Sequence, residues 1–470
     1  MTDSANIARH LPLMAARQPD RAAIKVPRGR TPDGRIDYLT LSFRELDDEV
    51  NAWAAKLSTR GVRQGDRVLV MVRQGLPLIA AAFALFKLGA VPVIIDPGMD
   101  RKHFLACVTR SKPRVLLGIP LAQLTSHLFR TAFASVKVRV WAAGSPTARL
   151  AREIINHQSL IINSAASDLA AVLFTSGSTG APKGVCYEHG MFEAQVRLVR
   201  ETYDIKPGEI DLPMLPIFAL FNPALGMTTI VPEIDPSRPA TVDPQKIVQA
   251  IQQENVTNSF GSPTLWRIIS RHCLKNNVAL PSMKRVLMAG APVPPSLFDA
   301  VQKILPNGTA YSPYGATESL PVASISAGEV LAETAAATAA GKGTCVGRPV
   351  QELTVKIIPI TDDPVTEIHE LPPGQVGEII VSGPVVTREY DQLPEATALG
   401  KIPGSQLSAL SSAATPPSGT ASVTSATSTP WVASGSAGAK PSAWKPNRDP
   451  STRSRWNPSS TPIPTWRAAP

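Results

Sequence analysis

Hydrophobic positions in the first 300 residues alternate between two textures. Short apolar, β-branched runs at 67–72, 91–95, 114–117, 137–141, 170–175, 257–260 and 285–289 read as strands. Stretches with apolar residues at helical spacing separate them, among them 43–59, 244–254 and 264–272. Such alternation predicts an α/β fold, with parallel sheets covered by helices on both faces. The most apolar run, 76–95, is interrupted by Lys87 and Gly89 and bracketed by Pro77 and Pro92. It reads as a buried helix over 78–88 feeding a strand at 91–95, and is too broken for a membrane span. From about 340 to 390 the texture turns β-rich. Runs at 353–360 and 376–381 flank a turn at Pro372-Pro373-Gly374, predicting a small antiparallel β lobe. The expected organisation is 1–340 as α/β lobes, 341–400 as the β-rich subdomain and 401–470 as a tail.

Composition changes the picture mainly in that tail. Residues 401–470 hold eleven Pro, fifteen Ser and four of the seven Trp, but only two Leu and two Ile. Such a segment buries too little apolar area to offset its ordering entropy, so it is predicted to be disordered. It also carries +6 of the net +10, leaving a mildly basic body without an Arg/Lys stripe and no expectation of nucleic-acid binding. Cys107, Cys186, Cys273 and Cys345 form no CxxC pair or disulfide framework. The N-terminus shows no secretory signal, and a reducing, cytoplasmic location is expected.

The chemistry concentrates in Phe174-Thr-Ser-Gly-Ser-Thr-Gly-Ala-Pro-Lys-Gly-Val185, directly after an apolar strand. Hydroxyls at Thr175, Ser176, Ser178 and Thr179 alternate with Gly177 and Gly180. Glycines let a backbone present its N–H groups to a polyanion, and the hydroxyls and Lys183 add donors and charge. The pattern is a phosphate-cradling loop but not a Walker A loop, because Gly184 rather than Ser or Thr follows the lysine. The bland alternative, a flexible Ser/Gly linker, fits poorly with a buried strand in front and a Pro-Lys-Gly end.

This loop resembles the signature of the adenylate-forming superfamily of acyl-CoA synthetases, luciferases and nonribosomal-peptide adenylation domains. Further stretches match in order: Lys87-Leu-Gly-Ala-Val-Pro-Val93, Ala289-Gly-Ala-Pro292, Tyr314-Gly-Ala-Thr-Glu318 and Gly377-Glu-Ile-Ile-Val-Ser-Gly383. The resemblance implies that ATP and a carboxylic acid give an acyl-adenylate and pyrophosphate. It implies that residues 175–180 and Lys183 hold the β- and γ-phosphates. Thr317 would touch the α-phosphate, and Glu318 and Thr175 would take Mg²⁺. Gly290, Ala291, Pro292, Tyr314, Gly315 and Ala316 would line the adenine side. Taken alone, Glu318 would read as an ordinary surface acid; its place after Tyr-Gly-Ala-Thr argues otherwise.

Residues 215–227 carry Phe218, Phe221 and Asn222 where many members of the superfamily have an aromatic-His pair beside the acyl site. An apolar, Phe-lined pocket suits an acyl chain; plain core is the alternative. With Ser259-Phe-Gly-Ser-Pro-Thr-Leu-Trp266 and the residues after Glu318, this segment looks most like the β-lactone synthetases of bacterial long-chain olefin biosynthesis. That subgroup implies a 2-alkyl-3-hydroxy fatty acid, no coenzyme A, and other enzymes of a lipid pathway as partners. Fatty acyl-CoA or acyl-AMP ligases share the first half-reaction, and a non-catalytic degenerate nucleotide-binding protein is the alternative from another class.

Superfamily members continue to a ribose-binding Asp, a hinge and a mobile C-terminal α+β lobe with a catalytic Lys. Residues 401–470 offer none of these, so that lobe is expected to be missing. A frameshift between about Gly404 and Ser418 accounts for the tail. Read one base earlier, codons from Ser418 onward permit W-H-R-V-G-D-L-G-Y, which resembles the missing region; a natural extension is the alternative. The expected consequence is impaired turnover.

Overall fold

The computed structural model describes residues 4–96, 98–142, 161–174, 182–235, 238–361 and 363–402. The phosphate loop (Thr175, Ser176, Gly177, Ser178, Thr179 and Gly180) and the tail expected to be disordered, from 403 onward, lie outside the described residues.

The described residues form an α/β fold with two large sheets. The first has six strands in the order Val138–Trp141, Val115–Gly118, Arg67–Met71, Val91–Ile95, Leu169–Phe174 and Gly184–Glu188. All neighbours are parallel except the last pair. The second has nine strands, with Arg285–Met288, Asn258–Gly261, Ile210–Asp211 and Thr228–Ile230 near its centre. Its central ladders are parallel. Its margins are antiparallel: the hairpin Ala22–Arg30/Ile36–Ser42 on one side, and Thr309–Ala316, Ser319–Ser326 and Arg348–Pro349 on the other. The expectation of parallel sheets thus holds for the strands buried on both faces, and the antiparallel edges are an addition. The hairpin 22–42 escaped the pattern because Lys25, Pro27, Gly29 and several charges break its apolar alternation.

Local sequence explains the helices. Ser42 caps Phe43–Thr59 by accepting from the Glu45 N–H at 3.2 Å, while Glu45 accepts from the Ser42 N–H at 2.8 Å. Phe43, Leu46, Val50, Trp53 and Leu57 then line one buried face. That face packs on Leu76–Lys87, a helix buried along nearly its whole length, with Pro77 in its first turn rather than before it. Lys87, read above as an interruption, is buried too. Its ammonium donates to Asp47 at 2.7 Å and to Asn51 at 2.6 Å.

Thr354–Ile358 and Glu378–Ser382 pair as an antiparallel two-stranded sheet. Val355, Ile379 and Val381 pack with Leu198, Val322 and Ala323 of the main body. The four cysteines are buried and unpaired, and burial pushes the Cys107 and Cys273 thiols up to about 11. Among the described residues no helix is long and apolar enough to cross a membrane.

Candidate active site

Lys183 directly precedes the strand Gly184–Glu188 at the edge of the six-stranded sheet. The connection joins Leu169–Phe174 to the antiparallel strand Gly184–Glu188, so no helix follows the loop as it would in a P-loop protein. Gly184 lies under Phe174: a Cβ there would fall 2.6 Å from the ring. The Arg110 guanidinium donates to the Pro182 carbonyl at 2.6 Å and holds the approach to Lys183.

Tyr314, Gly315, Ala316, Thr317 and Glu318 lie at the tip of the hairpin 309–326. Ala316 pairs with Ser319, leaving Thr317 and Glu318 as its two-residue turn. Gly315 is required by close approach, since a Cβ would sit 2.7 Å from the Ser319 carbonyl oxygen. The Tyr187 hydroxyl donates to the Thr317 carbonyl and ties this turn to the strand after Lys183.

A third segment, unremarked in the sequence, joins the two. The Thr387 N–H and hydroxyl both donate to the Glu318 carbonyl, at 2.9 and 3.1 Å. The Cys186 N–H donates to the Glu389 carbonyl at 3.2 Å, and the Asp391 N–H to the Gly184 carbonyl at 2.7 Å. Asp391 is buried and takes two bonds from the Arg67 guanidinium, at 2.7 and 3.0 Å. Between these anchors the Tyr390 hydroxyl donates to Glu318 Oε1 at 2.8 Å. The ammonium groups of Lys183 and Lys401 lie 4.8 and 5.2 Å from the centre of the Tyr390 ring. Burial lowers the Lys401 ammonium to about 8; Glu318 opposes that shift and Lys183 adds to it. Lys183, Glu318 and Lys401, far apart in the chain, thus meet around one aromatic ring. Tyr390 and Lys401 carried no local signal; the nearest clue was a lone aromatic soon after the 377–383 β segment.

The remaining expected residues lie at the C-terminal ends of the nine-stranded sheet. Gly290, Ala291 and Pro292 follow Arg285–Met288 and are exposed. The parallel neighbour 309–316 brings Tyr314 just beyond the last paired residues, Leu287 and Tyr311. Phe260, at the end of the next strand, stacks on Phe218 at 3.7 Å between ring centres, and Phe221 lies 6.2 Å from Phe218. Phe218 and Phe221 are partly buried against the core. Asn222 departs from this aromatic wall. Its amide is buried and donates to Asp211 and Thr229, both at 2.9 Å. Burial pushes the Asp211 carboxyl up to about 7, only partly offset by that bond.

Among the described residues no cluster of three His, Cys, Asp or Glu side chains could hold a metal. One carboxylate, Glu318, at the turn expected to meet the phosphates still fits Mg²⁺, which binds through one or two carboxylates and completes its shell with phosphate oxygens and water.

The family model described as AMP-binding enzyme matches residues 13–391. The chain is 44% identical to an olefin beta-lactone synthetase of Xanthomonas campestris pv. campestris, covering 86% of this chain and 73% of that one. It is 42% identical to an olefin beta-lactone synthetase of Stenotrophomonas maltophilia, covering 86% and 74%. The fold matches O-succinylbenzoate coenzyme A synthetase from Bacillus subtilis with a TM-score of 0.66 at 20% identity, over 84% of this chain and 74% of that one. The motif resemblance therefore extends over most of the sequence, and the chain belongs to the AMP-binding enzyme family, as an ATP-dependent, adenylate-forming ligase of small acids.

Proposed function

We propose that the chain adenylates a long-chain 2-alkyl-3-hydroxy fatty acid and closes the product to a β-lactone. The observation that carries this reading is the likeness, along most of the chain, to relatives named olefin beta-lactone synthetase. The Phe218–Phe260 stack beside the strand ends supplies an apolar wall suited to an acyl chain.

In the first step a carboxylate oxygen bonds to the α-phosphorus and pyrophosphate leaves. Attack by one anion on another is slow unless positive charge and oriented donors offset the repulsion. Lys183 and the 175–180 loop take the β- and γ-phosphates, Thr317 touches the α-phosphate, and Gly290, Ala291, Pro292 and Tyr314 flank adenine. Glu318, oriented by the Tyr390 hydroxyl, would hold Mg²⁺ together with Thr175, which would supply charge to offset that of the phosphates. In the second step the substrate's own 3-hydroxyl oxygen attacks the acyl carbonyl. The acyl–phosphate bond breaks, AMP leaves, and the hydroxyl proton passes to a base. The attack is intramolecular, so proximity offsets part of the ring strain. Phe218 and Phe221 guide the chain, and Asn222 supports them from the core.

The residues after about 404 are proposed to come from a shifted frame; the gene sequence across codons 400–470 tests that directly. Lobe closure completes sites of this kind, so the assay uses enzyme in excess, which reads a single turnover even where closure is slow. A 3-hydroxy fatty acid without coenzyme A is expected to release pyrophosphate and AMP and give a lactone detectable by mass spectrometry. Pyrophosphate without AMP unless coenzyme A is added would make it an acyl-CoA ligase. A normal multiple-turnover rate would contradict the impaired turnover expected of a chain with this tail.

A further inference from the structure

Lys401 has no part in the chemistry above, yet the fold brings it into the site. It follows the helix Pro394–Gly400, and its ammonium donates to the Thr387 hydroxyl at 2.9 Å. Thr387 is the residue that twice grips the Glu318 carbonyl. The Lys401 and Lys183 ammonium groups share the Tyr390 ring, whose hydroxyl holds the Glu318 carboxylate. Two cations are thus gathered with one carboxylate in a partly buried place. Packing alone gives a poor reason for a lysine here, because an apolar side chain would cover Tyr390 without the cost of desolvating an ammonium. Gathering like charges is unfavourable until an anion joins them. The Lys401 ammonium lies on the same ring as the lysine that ends the phosphate motif.

We propose that Lys401 is a second polyphosphate-binding cation of the ATP site, acting with Lys183 on the β- and γ-phosphates. The inference rests on the nucleotide reading above and adds a residue to it. As the carboxylate oxygen bonds to the α-phosphorus, the bond to the bridging oxygen breaks and its electron pair goes to pyrophosphate. An ammonium at that end meets the growing charge. AMP lacks those phosphates and does not meet Lys401.

The test is calorimetric titration of the 470-residue chain with MgATP, magnesium pyrophosphate and AMP. Lys401→Met is expected to weaken MgATP and pyrophosphate binding roughly ten- to hundredfold and leave AMP binding unchanged. Lys401→Arg is expected to restore most of the loss. Melting profiles confirm folding, and Lys401→Gln replaces the Met variant if that one is unfolded. No loss for any of the three ligands overturns the inference, and so does an equal loss for all three, which marks a merely structural lysine. A wild-type chain without saturable MgATP binding defeats the nucleotide reading itself, and this inference with it; that outcome is visible before any variant is made.

Discussion

Single residues in the site answer to identifiable forces. Lys183 supplies charge to a loop otherwise made of hydroxyls and glycines, and Lys183→Ala is expected to weaken MgATP binding at least about tenfold in titration calorimetry. Gly184 answers to space instead. A Cβ there would fall 2.6 Å from the Phe174 ring, which leaves no room for a methyl group, so Gly184→Ala should cost about 1–3 kcal/mol in urea unfolding. Asp211 answers to burial. Its carboxyl is pushed from 3.8 up to about 7, so between those values the folded chain holds a proton that the unfolded chain has released. The stabilisation is complete below pH 3.8 and is lost as pH rises through 7. Asp211→Asn should therefore flatten the fall in stability between pH 5 and 7.5. Equal slopes for the two proteins would rule the account out.

At the scale of elements, the run from Thr387 to Lys401 decides whether the site is assembled. Its first half has little regular structure, the helix Pro394–Gly400 fills most of the second, and the run is held by three backbone hydrogen bonds, the Thr387 hydroxyl and the Arg67–Asp391 pair. Removing one partner of a buried ion pair leaves an uncompensated charge. Asp391→Ala is expected to cost about 3 kcal/mol in denaturant and to weaken MgATP binding, because Tyr390 and Lys401 lose their anchor. Unchanged MgATP affinity in a destabilised variant would show that this run is only a brace. The same element shows where pattern reading stops. The helices at 43–59 and 244–254 could be read from apolar spacing and end residues, and the strands at 91–95 and 285–288 from continuous apolar runs. The run 387–401 has no period, and its bonds reach residues up to 324 positions away.

Across the whole molecule, the two sheets bring Lys183, the 314–318 turn and the run 387–401 together. Lys183, Glu318, Tyr390 and Lys401 all precede the Pro- and Ser-rich segment, whose composition buries too little apolar area to order it, so a variant shortened to residues 1–402 is expected to bind MgATP as tightly as the full chain. A loss of affinity would give the basic tail a role in the nucleotide site. The buried parallel strands and the make-up of the expected phosphate loop follow from local composition, because glycine, hydroxyl and apolar patterns act over a few neighbours. Convergence of Lys183, Glu318, Tyr390 and Lys401, the antiparallel edges and the turning of Asn222 into the core follow from packing. They depend on hydrogen bonds and burial between segments distant in the chain, and no short-range pattern records such partners.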